Sequence, residues 1–333
     1  MRIVSIELGS KRLKGRLSKA LAGLIHLRNL NLSENFFSDS LPVELFQLQN
    51  LEILDLSSNG FSGFLPRNIN LPSLRFLDIS KNSLVGTINE DICKAAKGLQ
   101  VLDLSLNYYY GEIPVNLGNC SHLEHLSLSS KFLIGSLPED LMRLPKLSLI
   151  HLQDNKLSGS LSSGFGNLSN LFKLDISSNG FSGTIPNAFQ NLVNLKQFSA
   201  MSNGFIGHLP PSLTHSPSIS SLNLNNNSLT GPIVINCSAM VCLTFLDMGS
   251  NQFDGPIPDN LHSCQQLSSL NLAQNNLGSQ LPDSFKKFES LTGLSLSKTG
   301  LHNLSAALAI LQHCRNLTTL VLTSNFHAHN STT

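Results

Sequence analysis

Charge is the scarcest property of this 333-residue chain: Asp, Glu, Lys and Arg make up 13% of it, as 22 basic and 21 acidic residues with a formal net charge of +1. So even a balance excludes an electrostatic grip on nucleic acid or on an anionic membrane surface. Long apolar runs are missing too. No stretch of about 18 apolar residues occurs, so no membrane span is expected, and Met1 to Leu8 reads as an amphipathic repeat, with Glu7 inside it, rather than as a signal peptide. Enzyme signatures are equally absent: there is no phosphate loop, GxGxxG, GxSxG or HExxH. No catalytic residue and no cofactor are expected. His122 and His125 form an HxxH, but strand geometry sends them to different faces and no third ligand is near in sequence, so no metal site is expected there. His327 and His329 fall on a tail suited only to weak, adventitious metal binding.

What the chain has in plenty is Asn, Ser, Gly and Leu, a neutral hydrogen-bonding surface that points to an extracellular setting. Sequons of the form NxS/T begin at Asn31, Asn119, Asn167, Asn226, Asn236, Asn303, Asn316 and Asn330. Asn119, Asn167, Asn226, Asn236, Asn303 and Asn316 are the glycosylation candidates. Sequons without a signal peptide suggest a piece of a longer secreted or membrane-anchored protein.

Aligned on LxxLxLxxN, the central Leu-type position recurs at 6, 30, 54, 77, 102, 126, 150, 174, 198, 222, 246, 270, 294 and 320, with ten of thirteen gaps equal to 24 residues. A period of that length along a whole chain marks a repeat array in which each unit adds one strand to a shared core. The expected fold is therefore an α/β repeat: a right-handed leucine-rich repeat solenoid over residues 1–325, with a parallel concave sheet, short 3-10 or helical turns on the convex side, and a frayed tail at 326–333. Polar caps, which such an array needs, are not recognisable at either end. The ladder position after each strand is Asn in eleven of fourteen units, the exceptions being Lys11, Lys131 and Thr299. A buried amide there can satisfy the backbone of two adjacent turns. The (L/F)xGx(I/L)P segment that follows, as at Phe253 to Pro258, bends at Gly and leads to a helical turn such as the one at Asn260-Leu261.

The six cysteines contain no CxxC pair, and Cys120, Cys264 and Cys314 each stand six residues before a strand leucine, in units too distant to meet. The expectation is small buried core residues and no disulfide framework.

Side chains alternate along a strand, so the residue between the two inward positions faces out. Those residues are Glu7, Asn31, Asp55, Asp78, Asp103, Ser127, His151, Asp175, Ser199, Asn223, Asp247, Asn271, Ser295 and Val321. Asp55, Asp78 and Asp103 then stand roughly 5 Å apart in a row, which reads as a solvated polar face rather than as glycosidase chemistry. From the tenth unit onward the outward positions are nearly free of charge, a surface suited to a peptide backbone or an anionic group.

The GxIP repeat resembles the plant-specific class used by receptor kinases, receptor-like proteins and polygalacturonase inhibitors. "NGFIGHLPPSL" (203–213), "FKKFESLTGLSLS" (285–297) and "LSAALAILQHCRNLTTLVLTSNFH" (304–327) resemble the phytosulfokine receptors, a family of plasma-membrane leucine-rich repeat receptor kinases. The resemblance implies an extracellular segment that binds a short, secreted, tyrosine-sulfated peptide between its strands and an inserted island. It further implies a co-receptor kinase as second partner. The implied strand contacts are Asn271, Ser295, Ser297 and Thr323, all of the family's residue type, while a family Arg that reaches the sulfate aligns with Asn225. Neither the island, the membrane span nor the kinase domain is recognisable in this chain. The alternatives are a secreted polygalacturonase-inhibitor-like module, expected to carry cysteine-bearing caps, and a non-functional truncated receptor.

Overall fold

The computed structural model describes residues 2–130, 132–278 and 280–326, so Lys131, His327, His329 and Asn330 lie outside the described residues. The chain divides into two compact units, one of residues up to 159 together with 167–180, the other of 160–166 together with 181 onward. Each is a stack of leucine-rich repeats. Among the described residues the leucine face of the first unit carries eight strands of three residues, Ser5–Glu7 to Lys173–Asp175, paired in parallel in chain order. The second carries six, Gln197–Ser199 to Thr319–Val321, paired the same way.

Register follows burial. Leu222, Leu246, Leu270 and Leu294 lie opposite one another, and none is more than 2% exposed. Each such leucine contributes roughly 2 kcal/mol of apolar burial. The intervening residues face out in register, Glu7 beside Asn31, Asp55, Asp78, Asp103, Ser127, His151 and Asp175 in the first unit, and Ser199 beside Asn223, Asp247, Asn271, Ser295 and Val321 in the second.

Most of these strands leave through a left-handed residue just before the ladder position, as at Ser58, Ser250 and Lys298 (φ 54°, 53° and 52°). For a residue with a Cβ that conformation costs about 1–2 kcal/mol, and the ladder asparagine offsets it. Asn275 donates to Met248 O (3.0 Å) in the preceding turn and to Leu272 O (3.0 Å) in its own, and accepts from Phe253 N–H (3.0 Å). Thr299 keeps one bond of that set, its hydroxyl donating to Leu296 O at 2.7 Å, while Oδ1 of Asn325 takes the Thr299 and Gly300 N–H groups.

A second set of strands runs through the (L/F)xGx segments and was not foreseen. Gly60–Phe64 pairs with Phe36–Ser40 and Ser83–Gly86 in the first unit, and Gln252–Gly255 pairs with Ser228–Pro232 and Asn276–Leu277 in the second. Phe61 and Phe253 are buried completely by this alternation, and Gly255 sits at φ 81°, where a side chain would be strained. Beyond it come short 3-10 turns that follow a proline, such as Val43–Gln47 after Pro42 and Asp259–Ser263 after Pro258. In the 26-residue unit the turn is replaced by the helix Leu304–Leu311, capped by Asn303, whose Oδ1 accepts from Ala306 N–H at 2.9 Å.

Cys120, Cys264 and Cys314 are buried as expected, but the expectation of no disulfides is overturned. Cys93 is bonded to Cys120 and Cys237 to Cys264, each pair 27 residues apart with Cα atoms at 4.9 and 4.6 Å. Cysteines at one repeat position cannot meet, as inferred for Cys120, Cys264 and Cys314. The partners stand one unit and three residues earlier, which places them on the adjacent turn. Cys314 is free and buried: the unit before it is 26 residues long, so the place one unit and three residues earlier is held by Phe285, whose carbonyl accepts from the Cys314 thiol at 3.1 Å. Among the described residues no helix is long and apolar enough to cross a membrane.

Candidate functional site

The acids of the first unit's face are engaged in holding the chain. Oδ1 of Asp55 accepts from Ser57 N–H (3.0 Å) and its hydroxyl (2.7 Å), and Asp103 holds Ser105 in the same way (2.9 and 2.6 Å). Asn31 does likewise with Ser33, so the strand end needs an acceptor rather than a charge. Burial raises the pKa of Asp78, against the lowering effect of Ser80, and the neighbouring Asp103 and Asp55 add to the rise. On the same face His125 and His151 meet edge to face with ring centroids 5.5 Å apart. Burial lowers the pKa of both, Lys173 and His125 lower that of His151 further, and Asp103 opposes the shift at each. His122, its HxxH partner in sequence, is exposed beside Ser121 and away from this pair.

In the second unit the predicted contact residues lie on consecutive strands or two residues beyond them. Asn271 lies in register with Asp247 and with Ser295, and Ser295 in register with Val321. Thr323 donates its hydroxyl to Ser297 at 2.9 Å. Asn225 and Asn271 are brought together by a residue that sequence reasoning placed on the face but did not single out: both side-chain amides donate to Oδ1 of Asp247, at 3.0 and 2.9 Å, and Gly249 N–H donates to it at 3.0 Å. The bare backbone of Gly249 leaves room for this arrangement, since a Cβ would lie 2.8 Å from each amide nitrogen and would displace the two side chains. Ser295, Ser297, Asn225 and Asn271 are half-buried and Thr323 is exposed.

Beside this face opens a cavity of about 750 Å³, lined among others by Gln252, Asp254, Asn276, Lys298, Gly300 and Ser324. The signal for it in the sequence is the shortened segment after Thr299, which turns into the helix Leu304–Leu311 instead of supplying another GxIP strand. Of the sequon asparagines, Asn119, Asn167, Asn226, Asn303 and Asn316 are exposed, and Asn236 is half-buried with its carbonyl toward Ala239 N–H (3.3 Å). Cys120 and Cys237, the middle residues of two of these sequons, are both disulfide-bonded.

The Leucine Rich Repeat family matches residues 26–48, 50–71, 73–95, 146–168, 170–192, 242–264 and 266–288. The ectodomain of the Arabidopsis thaliana receptor kinase GASSHO1/SCHENGEN3, solved in complex with CASPARIAN STRIP INTEGRITY FACTOR 2, superposes with a TM-score of 0.89 at 32% identity over 97% of this chain. The chain is a leucine-rich repeat solenoid resembling plant receptor ectodomains. This solenoid is also similar to the Arabidopsis receptor kinase HAESA, solved with the peptide hormone IDA and the co-receptor SERK1, at TM-score 0.84 and 28% identity over 97% of the chain. In sequence it is 50% identical over 125 residues, 38% of its length, to Phytosulfokine receptor 1 of Arabidopsis thaliana. The matched stretch is 12% of that receptor, and the solenoid spans 38% and 58% of the two solved chains.

Proposed function

We propose that this solenoid is the ligand-reading segment of a plant peptide-hormone receptor of the phytosulfokine-receptor type, acting outside the cell at the plasma membrane and carrying no catalysis of its own. A short secreted peptide, tyrosine-sulfated as the resemblance implies, lies across Asn271, Ser295, Ser297 and Thr323, and a co-receptor ectodomain joins afterwards. The observation that carries this reading is the row of amide and hydroxyl groups on consecutive turns of the second unit. Such a row matches the alternating N–H and C=O groups of an extended backbone. Titration calorimetry with a panel of short tyrosine-sulfated peptides tests it. Heat of binding with the native chain, lost in the double variant Ser297→Ala/Thr323→Ala, supports the reading, and equal binding by both proteins contradicts it.

A further inference from the structure

Around Asp247 the second unit's face holds acceptor oxygens that no donor among the described residues fills. Oδ1 of Asp247 is filled by three N–H donors, whereas Oδ2 takes no hydrogen bond among the described residues. The orientation of Asn225 follows from chemistry, since only the NH₂ end of an amide can face a carboxylate oxygen. Its carbonyl therefore points away, and that oxygen too has no donor among the described residues. The Asn271 carbonyl is not a further vacancy, because it accepts from Ala273 N–H at 3.0 Å. The charge of Asp247 is also unmatched. The ion pairs among the described residues join Arg16 to Asp39, Arg28 to Glu52, Arg143 to Asp140 and Lys286 to Asp283, none of them near this strand in sequence.

Phe245 stands two residues before Asp247 on the same face of the strand Phe245–Asp247 and is half-buried. The two side chains are thus roughly 7 Å apart, a spacing at which one cationic group can touch a carboxylate and an aromatic face together. An ammonium or guanidinium offers several donors to the two vacant acceptors and a charge for the ring and the carboxylate. A sulfate offers only acceptors and a like charge, and at such distances like charges repel even near a protein surface.

We propose that Asp247, Asn225 and Phe245 form a subsite for a positively charged group of the bound peptide, a lysine or arginine side chain or a free amino terminus, and that this corner rejects sulfate. The assignment rests on the peptide-binding reading above and refines it: a sulfated residue of the ligand sits away from Asn225. Single-residue probes separate the two ideas, because their binding does not depend on a peptide spanning the strands.

The experiment follows the side-chain amide resonances of Asn225 and Asn271 while the native chain is titrated with Nα-acetyl-lysine amide, Nα-acetyl-arginine amide, glycine amide and tyrosine O-sulfate. Glycine amide separates the amino terminus from the side chains as the source of the cation. Expected is movement of both resonances with at least one cationic probe, half-complete at a concentration at least tenfold below that for tyrosine O-sulfate. Asp247→Asn abolishes that preference. Asn225→Arg, which leaves Asp247 in place and fills the corner with a cation, turns the preference toward sulfate. Stronger response to tyrosine O-sulfate in the native chain, no response to any cationic probe, or a cation response unchanged by Asp247→Asn in a protein of native melting behaviour would each overturn the proposal.

Discussion

The hydroxyl of Thr323 donates to that of Ser297 across 2.9 Å, which ties together two residues on adjacent turns of the proposed peptide site. Thr323 is exposed, so Thr323→Val is expected to leave the melting temperature nearly unchanged, a surface substitution costing within about 0.5 kcal/mol. Peptide affinity should fall about fivefold, the value of one neutral hydrogen bond. Calorimetry and thermal melting of the same samples check both halves.

Removing a ladder amide is expected to be costly. Asn275→Ala leaves Met248 O and Phe253 N–H without their buried partner, and two unsatisfied groups of that kind amount to about 2–4 kcal/mol. Chemical denaturation of the variant should show that loss in the second unit, with the far smaller effect reserved for exposed asparagines such as Asn316.

The disulfides make a prediction for each unit. Replacing both Cys93 and Cys120 by Ala is expected to cost the first unit about 3 kcal/mol, from the freedom regained by the loop of 27 residues. Ala in place of Cys314, a free thiol, should cost only the packing of a small buried side chain. Reduction of the native protein opens the Cys237–Cys264 bond as well and should lower the stability of both units, as read by melting with and without reductant.

The histidine pair makes the first unit sensitive to mild acid. Both rings have pKa values lowered from the ordinary 6.5, chiefly by burial. Below pH 6.5 the unfolded chain therefore takes up protons more readily than the folded one, and stability is lost as the pH falls. Melting temperature should decline between pH 7 and 5.5 in the native protein and decline less in His125→Gln/His151→Gln.

Much of this was legible because the repeat imposes one environment on many positions. The spacing of the leucines fixed the register of every strand of the leucine face, and the outward positions came with it, from Glu7 to Val321. Pairings between turns at a different phase were not legible. Comparing Cys120 with Cys264 hid the bond to Cys93, which depends on a 27-residue step rather than on the 24-residue period. The second set of strands was missed because Phe61-Ser62-Gly63 reads as a bend when the alternation of buried Phe and outward Ser is not weighed. Asp247 was placed on the face, but its grip on Asn225 and Asn271 depends on side-chain rotamers and on the bare backbone of Gly249, which no single repeat reveals.

The central claim is that the second unit's face, rather than the acidic face of the first, receives the peptide. Carbene footprinting of the whole chain with and without a bound tyrosine-sulfated peptide tests it most directly. Expected is protection of Asn271, Ser295, Ser297 and Thr323 with the strands Lys173–Asp175 and earlier unchanged; protection centred on Asp55, Asp78 and Asp103 would contradict a peptide site on the second unit.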